Sequence, residues 1–261
     1  MDARRTIRTA YGNAEAFREQ WGGLLAEAGR GLVEGIPSSA TRVLDLGAGA
    51  GVDLPHIDRH LPNAFVVAAD LVEAMIRLAS PGISKAVVDA GAPPFADDSF
   101  DAVVMAFMLF HLPDPPGALH GVRRLLRPGG TLAVGTWEPE VEDFRANTVW
   151  IEELDAAGAA PADASVMNHA MMDSPAKVAA LLTEAGFSDV RTATRSADDA
   201  MDLDTFIYRR TNLGTSRVRF ESLSPEKQSA LVDRARTRLG SLRPEDFVSR
   251  ESAIYAWARA V

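Results

Sequence analysis

The stretch Val43-Leu44-Asp45-Leu46-Gly47-Ala48-Gly49-Ala50-Gly51 constrains this chain more than any other: a short apolar run enters three alternating glycines and leaves into a helical pattern. Glycine takes positive φ without steric cost, and its bare backbone lets a ligand reach N–H groups at a helix start. The alternation begun there continues. Arg42 to Leu46, Ala64 to Ala69, Ser84 to Val88, Phe100 to Phe107 and Thr131 to Trp137 read as strands. Between them lie helical patterns over Val52 to His60, Leu71 to Ala79, and a segment with Leu119, Val122, Leu125 and Leu126 on one face. Pro62, Pro81 and Arg127-Pro128-Gly129-Gly130 stop these helices. Strands alternating with helices imply right-handed crossovers and an open, mostly parallel, doubly wound sheet of Rossmann type, with a ligand crevice at the carboxyl ends of the strands.

Outside this core the signals are weaker. Residues 14–34 carry Phe17, Trp21, Leu24, Leu25, Ala28 and Leu32 at helical spacing, as one or two amphipathic helices before the core. Residues 138–173 mix acids, small residues and Met167, Met171 and Met172, which suits a helical cap. A helix starts at Ser174-Pro175 and stops at Gly186, Val190 to Thr194 reads as a sixth strand, and residues 202–240 look helical, with Ser224-Pro225 starting a segment that buries Leu231, Val232, Ala235 and Leu239. Val248, Ile254 and Tyr255 suit an edge strand, completing a seven-stranded sheet. The expected division is therefore N-terminal helices plus core over 1–137, a cap or substrate insertion over 138–173, and a C-terminal completion of the sheet over 174–261.

Composition narrows the function classes. A formal charge of −9 makes nucleic acid or an anionic membrane a poor partner. Zero cysteine removes disulfides, thiolate metal sites and cysteine nucleophiles, and fits a reducing compartment. The basic start leads into Tyr11, Glu15, Arg18 and Glu19 rather than an apolar segment, so no secretion signal is read and a cytoplasmic location is expected. The longest apolar run, Ala102 to Phe110, is under half of the roughly 20 residues a membrane helix needs.

Two acids sharpen the loop. Asp70 ends the second strand about 20 residues beyond Gly49, where a carboxylate can take both hydroxyls of an adenosine ribose. Asp89 ends the third strand, one place along the sheet edge, where an acid can take the exocyclic amine of adenine while Leu71, Met75 and Ala90 wall the ring. A nicotinamide dinucleotide competes for the same arrangement, but its G-x-G-x-x-G loop needs glycine where Val52 stands. Asp45 just before the loop also suits a cationic ligand better than a pyrophosphate.

Val43 to Gly51, Asp70, Val88-Asp89-Ala90, Pro94 to Asp101, Phe107 to Asp114 and Leu126 to Gly130 resemble, in order, the motifs of class I S-adenosylmethionine-dependent methyltransferases, in the branch acting on small molecules of quinone and natural-product biosynthesis. The resemblance covers about residues 40–137. It implies S-adenosylmethionine as cofactor, with Asp45, Gly47, Ala48, Gly49 and Gly51 at its methionine part, Asp70 at the ribose, Asp89 and Ala90 at the adenine, and Ala106 or Phe107 beside the methionine. It implies transfer of a methyl group to O, N or C of a small metabolite.

Such a transfer needs the acceptor held in line and water excluded, and an oxygen or carbon acceptor can need a base. His111, just past the fourth strand, is the candidate base or substrate contact; a histidine there also serves to shape the loop by bonding a backbone group. Phe110 stands where the resembled family often has a second histidine. Tyr11, Phe17 and Trp21 suit a lid or plain core. Trp137, Trp150, His169 and the three methionines suit an apolar acceptor pocket for a hydrophobic or aromatic molecule. His56 and His60 share a helix face without an evident third ligand, so no metal is expected. The expected partner is the small-molecule acceptor, and a homodimer is compatible with the reading. A cofactor-binding protein of the same fold with a regulatory or non-methylating role is the second reading.

Overall fold

The computed structural model describes residues 3–139 and 144–261. Seven strands form one sheet: β1 (Arg42–Leu46), β2 (Phe65–Asp70), β3 (Ser84–Val87), β4 (Phe100–Ala106), β5 (Leu126–Trp137), β6 (Phe187–Ala200) and β7 (Val248–Ala260), in the order β3-β2-β1-β4-β5-β7-β6. β1 to β5 pair in parallel, and β7 runs antiparallel to both β5 and β6. The central strands are apolar because both sheet faces are covered; Val43, Leu44, Leu46, Val103, Val104 and Met105 are fully buried.

The described residues also form ten α-helices, besides short 3-10 turns: α1 (Ala3–Tyr11), α2 (Ala14–Glu34), α3 (Leu54–His60), α4 (Glu73–Arg77), α5 (Pro115–Leu125), α6 (Arg145–Ala157), α7 (Pro175–Glu184), α8 (Leu203–Asn212), α9 (Gly214–Glu221) and α10 (Pro225–Leu239). Their starts follow local chemistry. Asp114, Ser174, Asp202 and Ser224 each accept a backbone N–H at an N-cap, and α5, α7 and α10 carry proline in the first turn. Among the described residues no helix is long and apolar enough to cross a membrane.

The structure corrects the sequence reading in three places. The C-terminal strand is not an edge strand: β7 lies between β5 and β6, and β6 takes the edge. Its alternation is poor because it is covered on both faces, with Ala253, Ile254 and Ala256 fully buried. Tyr255 donates its hydroxyl to Ala28 O at 2.5 Å and Trp257 donates Nε1–H to Leu32 O at 2.8 Å, fastening α2 to this strand. The N-terminal helical stretch is one helix over 14–34, preceded by α1, which the sequence reading left out. The helical span 202–240 breaks at Ser224-Pro225, as its sequence indicates, and also at Gly214, whose φ of +62° only glycine takes readily.

The main core surrounds the sheet. A second apolar cluster, with Phe144, Trp150, Leu154, Phe206, Leu231 and Phe247, joins α6 to α8 and α10.

Candidate functional site

β1 ends at Leu46, and the chain then turns through Gly47, Gly49 and Gly51 at φ of +80°, +53° and +76°. The first and last are fixed by crowding as well: a Cβ on Gly47 would lie 2.5 Å from Met108 Cγ, and one on Gly51 2.7 Å from Leu54 Cδ1. A Cβ on Gly49 would meet nothing within 4 Å, so the space above the middle of the loop is open. Gly47 and Ala48 donate their N–H groups to Ala69 O at 2.7 and 3.0 Å, tying the loop to the end of β2.

Asp70 closes that turn from the other side. Its Oδ2 accepts from Gly49 N–H and its Oδ1 from Val72 N–H, each at 2.8 Å. Burial raises its pKa, and the backbone donors work against that rise. Asp89, past β3, accepts from Gly91 N–H at 2.9 Å and is ion-paired at 2.5 Å with Arg4 of α1.

These groups border one cavity of about 500 Å³. Gly47, Ala48, Gly49, Asp70, Leu71, Met75, Asp89, Ala90, Ala106 and Phe107 all line it, as do Tyr11, Trp21, His111, Trp137 and His169. Two predicted residues are placed elsewhere. Gly51 packs under the loop, and Asp45 is buried on β1 behind the wall, with its Oδ2 unpartnered among the described residues. The wall instead contains Asp53, which the sequence reading passed over. Three residues expected in the acceptor pocket are also displaced: Trp150 is fully buried in the second cluster and donates Nε1–H to Ser216 Oγ at 3.0 Å, Met172 belongs to the main core, and Met171 is exposed outside the cavity wall.

Past β4 the backbone is strained. Phe107 adopts φ of +55°, held by its N–H to Gly135 O at 2.9 Å and by stacking on Trp137 with ring centroids 4.3 Å apart. A short 3-10 turn over Leu109–His111 then brings His111 under α1. His111 Nδ1 lies 3.1 Å from Val166 O, a group that can only accept, so Nδ1 carries the proton. Nε2 is therefore the acceptor, and it takes the Tyr11 hydroxyl at 2.5 Å. Burial lowers the His111 pKa to about 4, leaving the ring neutral. Burial and the neighbouring Asp70 charge push the Tyr11 hydroxyl above its ordinary value. His169 stacks on Phe110 at 3.8 Å, and burial lowers its pKa also.

Phe144, Met201, Arg209, Arg210, Leu213 and Thr215 also belong to the wall. Arg209 is ion-paired to Asp199 and donates to Gln20 O at 2.7 Å; Arg210 lies over the rings of Phe144 and Phe206. Nothing in the local sequence marks these residues, because α8 reaches the cavity only through packing. His60 Nε2 bonds Ile36 O at 2.7 Å, and the described residues hold no metal-ligand cluster.

The family described as Methyltransferase domain matches residues 44–134. A demethylmenaquinone methyltransferase of Renibacterium salmoninarum is 37% identical over 154 residues, 57% of this chain and 60% of that protein, so the chain spans less than two thirds of this relative. One from Roseiflexus castenholzii is 32% identical over 168 residues, 59% of this chain and 71% of that protein. The fold is also that of phosphoethanolamine N-methyltransferase 2 of Haemonchus contortus, solved with phosphomonomethylethanolamine and S-adenosylhomocysteine (TM-score 0.55, 16% identity, covering 99% of this chain and 60% of that one).

Proposed function

The chain belongs to the class I S-adenosylmethionine-dependent methyltransferases, and from that premise we propose that it moves a methyl group from S-adenosylmethionine to O, N or C of a small, hydrophobic or aromatic metabolite. The observation that carries the reading is that the glycine loop, Asp70 and Asp89 share one cavity with Tyr11 and His111.

The residues present fit the cofactor. The open space over Gly49 accepts a ligand where a Cβ would intrude, Asp70 stands at the strand end suited to a ribose, and Leu71, Met75, Val88 and Ala90 give the apolar walls an adenine needs. Asp89 reaches an adenine amine only by sharing or releasing Arg4. When bound, S-adenosylmethionine supplies a methyl group on a sulfonium, activated for in-line displacement.

The chain's own contribution is placement and proton handling. Phe107, Trp137, Trp21 and Met167 give the acceptor apolar surface and keep water out. His111, neutral and oriented through Val166 O, offers Nε2 to a proton, with the Tyr11 hydroxyl as the group between it and the cavity. The described part of the 138–173 segment, of which 140–143 lie outside the described residues, and the C-terminal helices act as the cap over the acceptor, and α1 with Tyr11 as the lid. Demethylmenaquinone, the acceptor named for two relatives, is one candidate within this class.

A cytoplasmic site of action and no nucleic-acid partner complete the proposal, supported by the −9 charge and cysteine-free sequence; a homodimer is compatible with it. The test is incubation with S-adenosylmethionine and a metabolite extract. Acceptor-dependent release of S-adenosylhomocysteine is expected. Tight cofactor binding without release would favour a binding or regulatory role.

A further inference from the structure

Asp53 occupies a capping position and does not cap. It precedes the first residue of α3, where an aspartate side chain ordinarily accepts a backbone N–H from the first turn. Only its carbonyl is engaged, by the N–H groups of His56 at 2.9 Å and Ile57 at 3.0 Å. The carboxylate is turned toward α2 instead, against Gly29, where a Cβ would lie 1.7 Å from Oδ1. That Oδ1 is buried without a hydrogen-bond partner among the described residues, and so is Oδ2 of Asp45. Asp53 is only 6% exposed, yet it stands in the cavity wall with Gly49, Ala50 and Val52. A dehydrated carboxylate lacking a donor requires either a proton or a cationic partner from outside the chain.

We infer that Asp53, held off the helix cap by the glycine notch in α2, is the carboxylate that receives the primary ammonium of the cofactor's amino-acid portion, with Asp45 the neighbouring buried acid behind it. This rests on the proposed cofactor. It moves the ammonium contact from the strand-end acid to one on the helix entrance, and it gives Gly29 a positioning role.

The titratable groups around Asp53 are Asp45 on β1, Asp70 on β2 and Tyr255 on β7, whose hydroxyl is already donated to Ala28 O. On α2, Arg30 is paired with Glu27 at 2.7 Å. Burial pushes Asp53 up to about 7 and, with the Asp53 charge adding to it, lifts Asp45 well above the ordinary carboxylate range. Two buried carboxylates whose charges repel each other do not both ionise readily, and a cation arriving beside Asp53 favours its ionised form and releases a proton.

The test is calorimetric titration of the full chain with S-adenosylhomocysteine and with 5′-methylthioadenosine, which lacks the amino-acid end. Asp53→Asn is expected to weaken S-adenosylhomocysteine by about tenfold or more while leaving methylthioadenosine within about twofold. Gly29→Ala, which fills the notch and changes no charge, should show the same selectivity. The unaltered protein should release a proton to buffer on binding S-adenosylhomocysteine at pH 6.5, and none with methylthioadenosine. If Asp53→Asn does not fold, the Gly29 variant and the proton count decide. Unchanged S-adenosylhomocysteine affinity in the variants, equal loss for both ligands, or binding without proton release overturns the inference. Failure of the unaltered protein to bind either ligand overturns the cofactor reading beneath it.

Discussion

His111 is neutral because of where it sits: burial removes the water that would stabilise an imidazolium, and the Val166 carbonyl fixes the proton on Nδ1. A pKa near 4 means the ring is unprotonated throughout the physiological range, so at saturating cofactor no activity limb near 6.5 should belong to it. For an oxygen or carbon acceptor, His111→Ala should lower turnover by about 10² to 10⁴ with S-adenosylhomocysteine affinity nearly unchanged. A pH–rate series of the protein, His111→Ala and Tyr11→Phe checks both statements. Asp70 acts on binding instead. Its two oxygens brace the glycine loop, and under the proposed cofactor reading it takes the ribose, so Asp70→Ala should weaken S-adenosylhomocysteine by about tenfold or more by calorimetry. Asp70 and Asp89 were legible at this scale because strand ends can be counted along the chain. Asp53 carried a weaker signal, an acid directly after the loop, and its turn toward Gly29 depends on a helix some 20 residues away.

Among the elements, the parallel strands are locked at both ends by different chemistry. At the carboxyl ends the glycine loop bonds to Ala69 O and Asp70, while at the amino ends Asp101 accepts from Thr41 N–H and Oγ1–H and from Arg42 N–H, and pairs with Arg127 at 2.7 Å. Burial is the largest single influence and opposes ionisation of Asp101, but those donors and Arg127 together outweigh it and hold its pKa below the ordinary value. A carboxylate with a depressed folded-state pKa stabilises the fold above its unfolded pKa, near 4, and loses that contribution as pH falls through the folded value. Asp101→Asn should therefore destabilise the protein by about 1 to 3 kcal/mol at pH 7, with the difference shrinking below pH 4 in denaturant melts. The βα periodicity made β1 to β5 readable. β7 was misplaced at the edge because a strand covered on both faces shows no alternation, and only its pairing with β5 and β6 reveals its position.

On the scale of the whole molecule, one cavity is assembled from both ends of the chain. α1 brings Arg4 to Asp89 and Tyr11 to His111, and α8 brings Arg209 and Arg210 to the opposite, β5-β7-β6 side of the sheet edge. Deleting residues 1–12 should leave the sheet folded, weaken S-adenosylhomocysteine by several-fold, and expose the loop after β1 to faster amide exchange, measured by mass spectrometry. The sequence by itself determined the sheet class, the glycine turn and the acids at successive strand ends, since each follows from local periodicity and spacing. Only the tertiary structure decided that Asp53 rather than Asp45 faces the cavity, that Trp150 and Met172 are core, and that Tyr11 meets His111. Those outcomes depend on which faces helices present across distances that spacing along a chain does not encode.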